Sequence, residues 1–347
     1  MEPALSGSLH FELVRHESDR ARFSALLDRA FAVGGGRHFL DDFPVWDERF
    51  APTGDRVARI GVRAGDELVA AAGVRRAELA TTGGRLPVAI IGAVCTDERW
   101  RGRGYGSRVV STAMLWARDQ GAAMILLWGS EASMYRRLGF EYCGTQVRVA
   151  AKALPPARAD AEVRRGWDER LFSALRARGS GLALDSADIG WLAAHRNTQW
   201  FWLERDGAVA AYAAYGRGID LPGMIHEWGG EPADLSRVLG ALRVAHPQAQ
   251  LLASPGLARA RGFAWDVEEP LCLAQVLEPR AVLEALRPGE RVSAREGADD
   301  LWELGLGARR LAGVAPGALA PAIFGCSGAG GTPGLGLELW LWGLDGA

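Results

Sequence analysis

Residues 89–107, AIIGAVCTDERWRGRGYGS, constrain the fold of this chain more than any other stretch. Ala89 to Cys95 are nearly all apolar and rich in Ile and Val, the composition of a strand covered on both faces. A polar turn follows, and Arg101 to Ser107 lead into a helical pattern. In that pattern Val109, Val110, Ala113, Met114 and Ala117 share one side, Arg108, Ser111, Thr112, Arg118 and Asp119 share the other, and Gly121 stands at the C′ position. A helix N-terminus has unpaired N–H groups and a partial positive charge, and glycines before it let a polyanion approach the backbone without a Cβ in the way. The stretch therefore predicts a phosphate cradle between a buried strand and a helix.

The cradle is neither a P-loop, which needs Gly-Lys-Ser/Thr at its end, nor a dinucleotide fingerprint, because its glycines stand at 102, 104 and 106. It reads as Arg-x-x-Gly-x-Gly on Arg101, Gly104 and Gly106, which resembles the acetyl-CoA pyrophosphate loop of the GNAT superfamily of N-acetyltransferases. A second block points the same way. Ala123 to Trp128 reads as a buried strand, and Gly129-Ser130, Ser133 to Leu138 and Gly139-Phe140-Glu141 resemble the family's next strand, tyrosine-bearing helix and closing turn. The resemblance implies an α/β (α+β) mixed sheet and an acetyl-CoA-dependent acyltransferase. On this sequence it implies that the backbone of Val94 and Thr96 holds the pantetheine arm, and that Arg101, Gly102, Arg103, Gly104, Tyr105, Gly106 and Ser107 cradle the pyrophosphate. It also implies that Tyr135 protonates the departing thiolate.

At 347 residues the chain is long for one domain and comfortable for two. A net charge of -2 gives no support for nucleic acid as a partner. Cys95, Cys143, Cys272 and Cys326 are far apart, with no CxxC and no metal-ligand spacing, so no metal is expected and the thiols suit a reducing compartment. No stretch approaches the ~20 apolar residues of a membrane span and no signal pattern opens the chain, so the expectation is a cytoplasmic protein without a membrane partner.

In chain order, a strand at Phe11–Arg15 and a helix at Asp19–Phe31 precede the loop Gly34–Phe50, in which aromatic and acidic residues alternate. In the GNAT family this region shapes the acceptor pocket, which implies substrate contacts by Phe39, Asp41, Asp42 and Trp46. Equally, the aromatics could anchor a surface loop whose acids are solvated. If the loop lines the pocket, Asp41 and Asp42 favour a cationic acceptor by Coulomb attraction. Hairpin strands at Arg59–Val62 and Leu68–Glu78 and a final strand at Tyr142–Ala150 complete the first half, and Pro155-Pro156 mark a boundary. The second half repeats the first faintly, with a hairpin at Trp200–Tyr215, a strand at Gly223–Trp228, a helix at Pro232–His246 and a strand at Leu251–Ala253. Where its pyrophosphate loop would fall stands Trp228-Gly229-Gly230-Glu231-Pro232, whose carboxylate would repel a phosphate. From Pro279 on, helices are expected at Arg280–Leu286 and Ala298–Val314, then a glycine-rich linker at Gly325–Gly336 and a strand at Leu337–Leu344. The expected division is a catalytic GNAT domain at 1–152, a degenerate second copy at 160–278 and a short α/β extension at 279–347. This tandem order resembles the Eis-type acetyltransferases.

An amine acceptor must lose a proton before it attacks a thioester, since a lysine-like amine has a pKa of about 10.4. Two groups offer themselves as base. Glu227, beside His226 as a substrate contact, lies on a strand that would face the cleft between domains, and the resemblance to Eis-type enzymes implies the terminal carboxylate of Ala347. The leading expectation is acetyl transfer to a small-molecule amine. A protein or peptide acceptor and a non-catalytic acetyl-CoA-binding module stand as alternatives, and a homo-oligomer is left open.

Overall fold

The computed structural model describes residues 9–13, 17–326 and 334–346. Its first half contains β1 (Leu9–Leu13), α1 (Glu17–Ala30), α2 (Phe39–Asp42), β2 (Val57–Ala64), β3 (Glu67–Thr81), β4 (Gly84–Thr96), α3 (Tyr105–Asp119), β5 (Met124–Leu127), α4 (Ala132–Arg137) and β6 (Glu141–Val149). The second contains β7 (Arg164–Arg165), α5 (Glu169–Arg176), α6 (Ile189–Ala193), β8 (Gln199–Arg205), β9 (Ala208–Tyr215), β10 (Met224–Gly230), α7 (Pro232–Ala245), β11 (Gln250–Ala253), α8 (Pro255–Ala260) and β12 (Val267–Val276). The extension adds α9 (Pro279–Leu286), β13 (Val292–Glu296), β14 (Trp302–Leu306), β15 (Arg309–Val314) and α10 (Leu319–Phe324).

Strands β1 to β12 form one mixed sheet in the order β1-β2-β3-β4-β5-β12-β6-β11-β10-β9-β8-β7. The two halves therefore exchange strands at their seam. β12, from the second half, runs between β5 and β6, and β6, from the first, runs between β12 and β11, with each of these three pairings antiparallel. β12 escapes the sequence reading because it starts Val-Glu-Glu-Pro and shows no clean period of two.

The strand composition explains the layering. In β4, Val88 and Ile90 pack into one apolar cluster and Ala89 and Ile91 into another, on opposite faces, so this strand is covered twice as its composition predicts. α3 lays Val109, Val110, Ala113 and Ala117, all fully buried, on Ile60, Ala70, Ala72 and Ile91. The alanines let the helix sit close to the sheet, and each large aliphatic side chain so buried contributes about 1.5–3 kcal/mol.

Two expectations for the extension are corrected. Residues 298–314 are not helical; apart from a short turn at Ala298–Asp300 they belong to the antiparallel sheet β13-β14-β15. Leu304 and Leu306 are buried two apart, and Gly307, at φ 57°, opens a two-residue hairpin that a helix would not accommodate. Leu337–Leu344 joins no sheet. Its backbone partners start at the end of α10, where Leu335 N–H donates to Ala322 C=O and Leu337 N–H to Ile323 C=O, and its Leu and Trp side chains fill the core beneath the sheet. Much of the glycine-rich linker, 327–333, lies outside the described residues. Among the described residues no helix is long and apolar enough to cross a membrane, and no cluster of His, Cys, Asp or Glu could hold a metal.

Candidate active site

β4 and β5 pair in parallel only over Val88–Ile91 and Met124–Leu127. β4 continues to Thr96 bonded to β3 alone, with a register shift opposite Ala71–Gly73 and Ala93 at φ 51°. Such a bulge adds twist and bends a strand away from its neighbour. The result is a V between the two strands, with the β5-facing edge of β4 beyond Ile91 left unpaired around Val94 and Thr96. An unpaired strand edge accepts an amide-bearing chain as a further strand.

The mouth of this V is closed by the start of α3. Gly102 and Gly104 sit at φ 75° and 78°, Gly104 is the N-cap in the left-handed region, and a Cβ at either would meet nothing within 4 Å. The backbone thus turns an open surface outward, with the first-turn N–H groups of the helix unpaired within it. The guanidinium of Arg103 lies 5.0 Å from the ring centre of Trp100, which roots the loop in the core. Arg101 makes no ion pair among the described residues. These residues fit a pyrophosphate: open glycines, orphan donors and a cation without a carboxylate. A Cβ on Gly106 would stand 3.3 Å from Thr96 Oγ1 and 3.5 Å from Met134 sulfur, so the helix start, the end of β4 and α4 converge there.

α4 brings Tyr135 to the same place. Its ring lies over Gly129, whose added Cβ would fall 2.5 Å from Cε2 and 3.0 Å from Oη, and it meets Phe140 edge-on at 6.3 Å. Only glycine lets the ring come this close to the tip of β5. Tyr135 is buried, and burial pushes its hydroxyl up to about 12, with Glu131 and Cys95 adding to the shift. It is therefore protonated throughout the neutral range, and among the described residues nothing hydrogen-bonds that hydroxyl.

Trp128 and Gly129 also line an open cavity of about 720 Å3 over the exchanged strands β6 and β12. Its polar lining includes Asp220, Glu269, Gln146 and Arg148, and Leu221, Leu271 and Leu273 supply apolar wall. Glu269 accepts from Arg148 at 2.7 and 2.6 Å and from Gln146 at 2.8 Å, and Asp220 is paired with Arg217. No sequence signal singled out Trp128, Asp220 or Glu269, because the strand exchange that joins them is a tertiary event.

The acceptor residues expected from the loop after α1 are placed differently. Phe39 stacks between Phe31 and Phe43 at 4.6 and 4.5 Å. Trp46 is wholly buried beneath Gly73 and Gly92, whose lack of side chains makes room for its indole. Asp42, 1% exposed, accepts from Asn197 and from Ile219 N–H, so it ties the first half to the second. Asp41 faces Arg196 at 3.4 Å. None of the four lines the cavity beside Tyr135.

Glu227 and His226 stand on β10 and pack against the segment 342–346 rather than facing an open cleft. Glu227 accepts from Arg178 at 2.9 and 3.0 Å and from Leu344 N–H at 3.1 Å. Burial pushes its carboxyl up to about 7 against the pull of Arg178. His226 is fully buried, its Nε2 is 3.0 Å from Gly216 C=O, and burial holds it down to about 4, hence neutral. The reason for this burial is the segment 342–346. Asp345 accepts from Arg178 and from the N–H groups of Leu182 and Trp342, Arg75 donates to its C=O, and Arg217 donates to Gly343 C=O. The segment ends with Gly346, where an added Cβ would be 3.2 Å from the ring of Trp128, next to Gly129. Ala347, the other candidate base, lies outside the described residues.

At the N-terminus of α7, the N-cap residue is Glu231, where α3 has Gly104, Asp234 stands in the first turn, where α3 has Ser107, and Pro232 opens the helix. Two carboxylates at a helix N-terminus occupy the position an anion would take.

Residues 15–143 match the model of the family described as acetyltransferase (GNAT) domain. No curated protein matches the sequence. Among solved structures, a GCN5-related N-acetyltransferase from Kribbella flavida is 20% identical, with a TM-score of 0.60 over 90% of this chain and 85% of the other. A second, from Anabaena variabilis, is 12% identical at a TM-score of 0.60 over 88% and 85%. Eis1 from Mycobacterium abscessus is 15% identical at 0.57 over 88% and 84%. At these identities the likeness is one of fold, and it runs through both halves and the extension.

Proposed function

We propose that this chain, whose residues 15–143 match the GNAT acetyltransferase domain model, is an N-acyltransferase that moves an acetyl group from acetyl-CoA to the primary amine of a small cationic acceptor. The observation that carries this reading is the position of Gly129: the ring of Tyr135 covers it at the point where β4 and β5 part, and the same glycine lines the 720 Å3 cavity. Thioester and amine would meet there in a ternary complex. The free amine attacks the acetyl carbon, the C–S bond breaks, and Tyr135 hands its proton to the thiolate, while the attacking nitrogen sheds one to water in the open cavity. A backbone N–H from the free edge of β4 would polarise the acetyl carbonyl. Asp220 and Glu269 would draw an ammonium into the cavity, although each is already paired with an arginine, so the attraction is partial.

In this reading residues 1–152 form the catalytic unit, 160–278 a copy that serves as acceptor wall, and 279–347 an extension that braces both, in a cytoplasmic enzyme. Titration calorimetry with acetyl-CoA, followed by thiol-release assays on polyamines, aminoglycosides, amino acids and short peptides, tests it. Binding together with turnover on small amines is the expected result. Turnover on peptides alone would replace the acceptor, and absence of acetyl-CoA binding would overturn the reading.

A further inference from the structure

The cavity beside Gly129 has two carboxylates on its lining, and both are already engaged by the protein. Both oxygens of Asp220 accept from Arg217, and both oxygens of Glu269 accept from Arg148, with Gln146 adding a bond to Oε1 at 2.8 Å. Two guanidinium groups offset the two acids, so the four together bring no net charge to the cavity. Freeing Asp220 for a ligand would strand the buried guanidinium of Arg217. Arg148 stands on the lining itself and repels any second or third positive charge that an acceptor carries.

What the lining offers instead is apolar wall, from Leu221, Pro222, Met224, Leu271 and Leu273, and aromatic surface. Of its two aromatic rings, Tyr142 already has the guanidinium of Arg136 at 5.5 Å from its centre. Trp128 is 37% exposed, whereas Trp46, Trp200 and Trp228 are buried. Its orientation is fixed from two directions. The indole N–H donates to Leu271 C=O at 2.9 Å, and a Cβ on Gly346 would lie 3.2–3.3 Å from Cδ2, Cε3 and Cζ3. Three consecutive ring atoms at nearly one distance put Gly346 over a face of the ring rather than at its edge. One face is thus closed by the segment 342–346, the polar edge is bonded to β12, and the surface left to the cavity is aromatic carbon. The next residue, Gly129, lies under the ring of Tyr135, so this indole adjoins the point of transfer.

We infer that Trp128 determines acceptor specificity and that the acceptor is an aromatic monoamine, a primary amine on a short chain from a planar ring that stacks on the indole. The inference rests on the acetyl-transfer reading above and narrows its acceptor to one class. Such an amine brings a single positive charge, which the partly shared acids accept, and buries its ring against Trp128 and the leucines. Stacked aromatic pairs add to what burial of apolar area alone supplies. A polyamine or an aminoglycoside meets Arg148 with two or more charges and has no planar body for the indole.

The test is thiol release from acetyl-CoA with 2-phenylethylamine, 2-cyclohexylethylamine and spermidine, alongside calorimetry of each amine on the full chain in the presence of CoA. 2-Phenylethylamine should show the lowest KM, about threefold to tenfold below the cyclohexyl analogue, which has its charge and similar bulk but no π face. Trp128→Ala should raise that KM about tenfold or more, with kcat and the Kd of acetyl-CoA unchanged, the signature of lost acceptor binding in a folded protein. Trp128→Phe loses the bond to Leu271 but keeps a ring, and should return KM to within about threefold of the parent. Turnover with spermidine at the lowest KM, a parental KM in Trp128→Ala, or a Trp128→Phe as impaired as Trp128→Ala would each overturn the inference while leaving acetyl transfer standing. Calorimetric binding of 2-phenylethylamine that Trp128→Ala weakens, with no thiol release from any amine, would uphold the ligand class and overturn the transfer reading. Absence of binding by any of the three amines overturns the inference whatever acetyl-CoA does.

Discussion

Replacing Arg178 with methionine should cost this protein a large share of its stability, more so in alkaline than in acidic solution. Arg178 is the cation between two carboxylates, Glu227 and Asp345, whose side chains are 0% and 1% exposed while its own is 5% exposed. Methionine fills much of the same volume but leaves two acids facing each other out of water. Breaking a buried pair in this way costs about 3–5 kcal/mol. For a chain of 347 residues, with an unfolding entropy of about 2.1 cal/mol/K per residue, that is a fall in Tm of about 4–7 °C.

The pH dependence follows from the direction of the shift. Burial raises the Glu227 carboxyl from its ordinary 4.5 to about 7, so between those values the folded protein holds a proton that the unfolded chain has released. The contribution of this group is therefore full below 4.5 and is lost as pH rises to about 7. Without Arg178 the Glu227 carboxyl loses the cation that pulls it down and is pushed higher still, and the deficit of the variant should be smaller at pH 5 than at pH 8. Urea unfolding of parent and variant at both values reads this directly. Equal midpoints for parent and variant, or a deficit that is the same at pH 5 and pH 8, would refute the account of the cluster as a buried charge balance.

Other perturbations address the site. Tyr135→Phe should lower kcat about 10²–10⁴-fold with acetyl-CoA affinity unchanged, because the ring keeps its seat on Gly129 and only the proton donor goes; unchanged turnover would remove Tyr135 from the chemistry. In the parent, the hydroxyl at about 12 should add no alkaline limb to kcat below about pH 11, and a fall assigned to Tyr135 near pH 9 would contradict its burial. Arg101→Ala should weaken acetyl-CoA binding by calorimetry about 10-fold to 150-fold, the scale of a lost charged hydrogen bond of about 1.5–3 kcal/mol, with Tm unaltered. Gly92→Ala would place a methyl carbon 2.6 Å from Trp46 Cζ2 and should destabilise by about 1–3 kcal/mol in the same urea assay.

What the sequence determined by itself was local. The double-sided strand at Ala89–Cys95, the left-handed glycines of the cradle, the amphipathic α3 and the tyrosine helix after β5 are each written in a few consecutive residues, because periodicity and glycine placement are properties of one segment. These pieces predicted the strands and longer helices of the first half that the structure shows, while the stretch read as a loop at Gly34–Phe50 contains the short helix α2. The extension misled the reading at 298–314, where Ala, Leu and Arg favour a helix by composition but Gly305 and Gly307 sit in a hairpin. Only the tertiary structure decided which residues meet. β12 and β6 change places because the two half-sheets complete each other at one seam, and this puts Glu269 beside Trp128 though they are far apart in sequence. Asp42 and Glu227 look like pocket acids when read singly. The structure turns both inward, Asp42 onto Asn197 and Ile219 N–H and Glu227 onto Arg178, since a buried carboxylate is tolerable only where donors surround it, and the chain brings those donors from segments that no local pattern connects.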